Sequence, residues 1–133
     1  MRPGNSKPPP RWVPRPLRAE ESAVIKQVLQ LDKSIPHFEA LLASVDRLIV
    51  QEGCDCGCDA LFFDSPLRMG EVIVGGVGRT AENLWVEALL WARETTLTFL
   101  ELEPLSSRPR RAARLPRVDS LIPYPDDFMS RSW

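Results

Sequence analysis

Apolar and polar positions along this chain change period after its first third. From Leu17, the segment LRAEESAVIKQVLQL puts Leu17, Val24, Val28 and Leu31 on one face at helical spacing. Its acids stand in the first turn, where the helix dipole favours them. The next segment, DKSIPHFEALLASV, repeats the period through Phe38, Leu41, Leu42 and Val45. Ser34 is its expected N-cap and Pro36 falls early in the helix, so two short helices with a bend at 34–36 are predicted. From residue 47 the period shortens. RLIVQE (47–52), ALFFD (60–64) and EVIVGGV (71–77) each read as strands. LWVEALLWARE (84–94) is ambiguous by composition, because Ala, Leu and Glu also favour helix. Its strict alternation, with Trp85, Glu87, Leu89, Trp91 and Arg93 against Leu84, Val86, Ala88, Leu90 and Ala92, argues for strand. So does the return segment TLTFLELE (96–103), which implies a tight turn at Glu94–Thr95.

These elements predict an α+β fold: N-terminal helices packed on one face of an antiparallel, meander-like sheet of about four to six strands. The expected core is Val24, Val28, Leu31, Phe38, Leu41, Leu42, Leu48, Val50, Phe62, Val72, Val74, Val86, Leu90, Phe99 and Leu102. The length of 133 residues suits a single domain. Residues 1–16 hold six prolines and read as an extended basic arm. Residues 17–105 form the α+β domain. Residues 106–133 are a basic connector followed by a proline-punctuated tail, expected to run along the sheet through Leu121, Ile122 and Tyr124.

Charge sharpens this division. Residues 1–18 carry five bases and no acid, residues 19–105 fifteen acids against six bases, and residues 106–133 six arginines against three aspartates. An acidic body between basic arms repels nucleic-acid phosphates and suits a basic protein partner. The arginines at 108, 110, 111, 114 and 117 lack interleaved aromatics and read as a solvated connector. Trp85 and Trp91 read as core or interface side chains, not a base-stacking platform. No apolar run reaches the roughly 18 residues of a membrane span, and the basic start lacks the apolar stretch of a secretory signal. With three cysteines in one short run and no paired framework, a reduced cytoplasmic setting is expected.

EVIVGGVGRT (71–80) raises the question of a phosphate-binding loop. The pattern GxxxxGK[ST] needs glycine where Ile73 stands and lysine where Arg79 stands, so only Gly78 and Thr80 match. A strand whose glycines admit a bulge or a close backbone approach is the expected reading. The stretch GCDCGCDALFFD is more distinctive. Cys54, Cys56 and Cys58 are able to supply three thiolates to zinc, with His37 or an aspartate as fourth ligand. Structural zinc sites use Cys-x2-Cys spacing, however, so no cofactor is the primary expectation and zinc the alternative. If 54–64 is extended, Cys54, Cys56, Cys58, Ala60 and Phe62 share a face as small buried hydrophobes, while Asp55, Gly57 and Asp59 face water. No catalytic set assembles. His37 sits at a helix start, and the carboxylate pairs Asp126–Asp127 and Glu101–Glu103 lack a positioned partner.

LRAEESAVIKQVLQL, FEALLASVDRLIVQEGCDCGCDALFFD and LLWARETTLTFLELEPL together resemble small uncharacterised bacterial domain families. Those families share a leading helix, a Cys-x-Cys-Gly-Cys run and a closing Leu-Glu strand. The resemblance covers about residues 16–105 and implies a compact α+β domain without assigning an activity. The expected function is therefore a non-catalytic protein-binding domain, by analogy an inhibitor or immunity-type protein. Its partner would meet acids among Asp55, Asp59, Glu82, Glu87, Glu101 and Glu103. The alternative is a regulator or small enzyme built on the cysteine cluster and a bound metal.

Overall fold

The computed structural model describes residues 14–105 and 112–133. Trp12, Val13, Arg108, Arg110 and Arg111, on which several expectations fell, lie outside the described residues. The elements run β1 (Arg15–Pro16), α1 (Ala19–Leu29), α2 (Phe38–Ser44), β2 (Ile49–Val50), β3 (Glu52–Gly53), β4 (Leu61–Phe62), β5 (Glu71–Arg79), β6 (Trp85–Arg93) and β7 (Thr96–Pro104). β3-β4-β7-β6-β5 form one antiparallel sheet, and β1 pairs with β2 in a second, two-stranded one. The fold is α+β, as the periodicities imply. β5, β6 and β7 are a meander, and the β3–β4 hairpin adds to the far side of β7.

The segment of ambiguous composition is a strand. On β6, Val86, Ala88, Leu90 and Ala92 are all buried and face the helices, while Trp85, Glu87, Leu89 and Trp91 alternate onto the other face, half-buried. α1 packs on β5 and β6, and α2 on β7. α1 forms because its apolar residues recur every three or four positions. Glu20 and Glu21 occupy its first turn and Lys26 its last, in line with the macrodipole. It buries Val24, Ile25, Val28 and Leu29, while Leu17 and Leu31 pack at the rim of the core.

Four expectations need correction. Ser34 does not cap α2. Its amide and hydroxyl both bond the Asp32 carboxylate, at 3.0 and 2.5 Å. Pro36 disfavours helical backbone at Ile35, so α2 begins only after His37, whose φ of 63° is left-handed. The strand expected over 47–52 is two short strands in different sheets, preceded by a 3-10 turn at Val45–Arg47. Val72 is 43% exposed, not core. A register shift between Val72 and Val74 places Val72 opposite Trp91 on the outer face and Val74 opposite Leu90 on the inner. The cysteine run is not extended, as described below.

The tail does lie along the sheet. Ile122 pairs antiparallel with Val77, and Pro116 with Thr80, which closes part of the β5 edge. Beyond it, Tyr124, Phe128 and Trp133 gather over the outer face, with Trp133 edge-on to Trp85 at 5.1 Å and Tyr124 donating to Glu87 at 2.5 Å. Val77, on the outer side of β5, is fully buried. The glycines of 75–78 lie inside the strand and form no loop. A β-carbon on Gly76 would stand 2.5 Å from the Ile122 carbonyl oxygen and 2.5 Å from Leu31 Cδ1. The close backbone approach expected from the glycines is thus the seat of the tail.

Candidate metal centre

The β3–β4 connection carries the cysteines. A turn closes from the Gly57 N–H to the Cys54 carbonyl at 3.2 Å, and Gly57 takes φ 93°, a conformation glycine adopts without strain. The turn overturns the extended arrangement expected of 54–64, and with it the reading of three equivalent buried thiols. Cys56 is exposed, Cys54 half-buried and Cys58 buried. The three Sγ atoms all lie within 4.8 Å of one another. Cys54 and Cys56 sulfurs approach to 2.7 Å.

Backbone donors point at the sulfurs. The Cys56 N–H donates to Cys54 Sγ and the Cys58 N–H to Cys56 Sγ, each at 3.4 Å. Such donors stabilise negative charge on sulfur and orient a ligand for a metal. Hydrogen bonds from the Cys54 and then the Cys58 side chain hold the Cys56 thiol below the ordinary range. Burial first, and then its sulfur neighbours, push Cys58 up to about 12. The cluster therefore has one accessible sulfur whose thiol is lowered and one buried sulfur whose thiol is raised.

Long-range contacts fix the turn. Arg114 donates to the Gly57 carbonyl at 2.9 Å and to Asp59 at 3.3 Å, and Asp59 accepts the Leu115 N–H at 2.8 Å. The Asp59 N–H in turn donates to the Ala113 carbonyl at 2.9 Å. Asp59 thus holds the tail, and Arg114 clamps the turn while its side chain stays 52% exposed. Beside the cluster is a cavity of about 470 Å³, whose lining includes Cys58, Asp59, Arg15, Arg18, Glu21 and Arg117. Under it, Arg15 grips Glu21 through two bonds of 2.8 Å, and Glu21 also accepts the Arg18 N–H at 2.8 Å. Sequence reasoning missed this pair. The acid three residues into a helix start was the available signal, as one half of a capping box.

His37, one of the two expected fourth ligands, stands at the N-cap position of α2 without a side-chain capping bond and does not belong to the group. Among the described residues no histidine, aspartate or glutamate joins the three sulfurs within 4.8 Å. The expected partner-binding acids do not share one surface. Asp55 and Asp59 lie on the cysteine turn, and Glu82 is exposed between β5 and β6. Glu87 and Glu103 stand opposite each other on the outer sheet face, with Glu101 two residues away on β7. Glu101 accepts the Trp91 indole N–H at 2.8 Å, and the Glu103 carboxyl is raised by its hydrogen bond to Glu101, by burial and by the Glu87 charge.

What the fold and the turn define is a small α+β domain that presents three clustered thiols on a hairpin connection. Comparison with family models, with curated proteins and with solved structures returned no match. Among the described residues, no helix is long and apolar enough to cross a membrane.

Proposed function

We propose that this chain binds a thiophilic metal ion, zinc foremost, through Cys54, Cys56 and Cys58, as a structural or regulatory centre. The convergence of three Sγ atoms within 4.8 Å carries the reading. Tetrahedral zinc with sulfur at about 2.3 Å needs sulfurs roughly 3.8 Å apart. The cluster spans that spacing, and the exposed Cys56 side chain reaches it from 2.7 Å by opening about 1 Å from Cys54. The turn supplies amide donors to two of the sulfurs, and the fourth position falls to water or a small ligand.

The test is titration of reduced, metal-free protein with cobalt as a spectroscopic stand-in, followed by competition with zinc. The expected result is one metal per chain with sulfur-to-metal charge-transfer absorption. Cys56→Ser should weaken binding at least about tenfold. Because Cys58 loses its proton only around pH 12 in the free protein, binding releases protons and must strengthen as pH rises. Binding that is equally strong in Cys56→Ser, or that weakens with rising pH, would count against the site.

A second reading is favoured by the outer face, where Glu87, Glu101 and Glu103 are held together although their charges repel. There the domain meets a basic protein, with Glu103 the exposed acid of that face. Charge-steered association weakens with salt. Affinity capture from native extract should then retain a basic protein at low salt, release it at high salt, and lose it in Glu103→Lys. Retention indifferent to salt would sink this reading.

A further inference from the structure

We infer that Cys54 and Cys56 form a dithiol–disulfide couple that exchanges with small-molecule disulfides, with Cys58 left as a reduced thiol. The inference rests on the metal-binding reading only for its consequence, since closing the couple removes two of the three proposed ligands. Two observations carry it. The Cys54 and Cys56 sulfurs are 2.7 Å apart, within about 0.7 Å of a disulfide bond length. That spacing is shorter than a shared metal requires, so the free turn sits nearer the bonded than the metal-held geometry. Exposure then sets the order of events: Cys56 is exposed and Cys54 half-buried, while Cys58 is 6% exposed against the cavity wall.

The chemistry is a two-step exchange. The Cys56 thiolate attacks one sulfur of the incoming disulfide, forming a mixed disulfide and expelling one thiolate. The Cys54 thiolate then attacks Cys56 Sγ, breaks the mixed bond and expels the second thiolate. The two protons given up by the cysteines end on the two released thiols. The protein loses two electrons and the small disulfide gains them. Cys58 also bonds the Cys56 thiol, but it is the poorer partner for either step: it is buried, and the Cys54 sulfur stands 2.7 Å from Cys56. Attack by a third thiol is limited by access as much as by reactivity.

The experiment uses full-length, reduced, metal-free protein and glutathione disulfide as the probe. After exposure, free thiols are alkylated and the chain is mapped by mass spectrometry. The expected product has lost two hydrogens, carries a 54–56 bond and has one alkylated residue, Cys58. Cys54→Ser should stop at a glutathione adduct on Cys56, and Cys56→Ser should leave the remaining thiols alkylatable. Cys56 is exposed and Cys54 packs against the edge of the core, so far-UV circular dichroism checks that the fold is kept. A 56–58 bond, a lasting adduct on Cys56 in the unaltered chain, or no reaction at an alkylatable Cys56 would overturn the couple. A second arm adds the same probe to zinc-loaded protein beside a chromophoric chelator. Release of zinc in step with closure supports the coupling, and zinc retained by closed protein refutes it. If the chain takes up no zinc, the first arm still decides the couple, so the two proposals fail separately.

Discussion

Replacing Glu21 by alanine should destabilise the domain by about 3 kcal/mol, the lower end for removing one member of a buried ion pair. The residue is 6% exposed, so its charge has little water to fall back on. In its place it has the two Arg15 bonds and the Arg18 N–H, all at 2.8 Å. Alanine leaves a guanidinium without its carboxylate and the start of α1 without an acceptor for that amide. The figure is held to the low end because the Arg15 side chain is 26% exposed and keeps part of its hydration. Glu21→Gln retains an acceptor oxygen and should lose less. The same pair gives a pH signature. Burial alone would raise the Glu21 carboxyl, but the Arg15 bonds and the Arg18 amide together draw it below its ordinary value. A depressed folded value adds stability above the unfolded value of about 4.3, and that stability is lost as pH falls through the folded one. Urea melts at pH 7 and below pH 4 should therefore show the gap between the parent and Glu21→Gln shrinking in acid. A gap that is constant or widens in acid would refute the assignment.

Gly76→Val should cost about 3 kcal/mol through overpacking and should also lift the tail. The new β-carbon lands 2.5 Å from two atoms of different tolerance. Leu31 Cδ1 is the end of a flexible side chain and is able to rotate. The Ile122 carbonyl is not, because it accepts the Val77 N–H at 3.0 Å while the Ile122 N–H returns a bond of 2.9 Å. Either the tail leaves the β5 edge or the strand bows. Trp133 leans on Trp85 from the same tail, so tryptophan fluorescence should change before the main unfolding transition. Gly75→Ala is the comparison: its β-carbon would meet the Tyr124 hydroxyl at 2.5 Å, a Leu89 methyl at 2.8 Å and the Ala88 carbonyl at 3.1 Å, but no backbone atom of the tail. Equal loss in both variants would show that the tail bridge does not define the cost at Gly76.

How far the sequence could be read depended on whether a signal was local. The alternation in 84–94 outweighed its helix-favouring composition, and Val86, Ala88, Leu90 and Ala92 all proved buried. Nine of the core residues expected from periodicity are buried, among them Val24, Val28, Leu41, Val74, Val86, Leu90 and Leu102. The glycine question was answerable on motif grounds, and the strand with a close backbone approach followed. The cysteine turn was not legible. Its alternating pattern is the same for an extended strand and for a turn, and the difference lies in Gly57 adopting a positive φ under a clamp from Arg114, 57 residues away. Val72 was misplaced because a one-residue bulge reverses every side chain beyond it.

The sequence by itself determined the longer elements and most of their buried faces. Side-chain period couples directly to backbone geometry, so 3.6- and 2-residue repeats declare helix and strand before any partner is present. It also determined that the three thiols would be neighbours, by placing them at alternate positions. Only the tertiary structure decided which sheet each short strand joins, that the tail seals β5 over Gly76, and that Glu21 is buried beneath Arg15. It decided, too, that the thiols converge on a turn with graded exposure. Each of these depends on contacts between residues far apart in the chain, whose energies are gained only when the whole fold closes, so no local stretch of sequence records them.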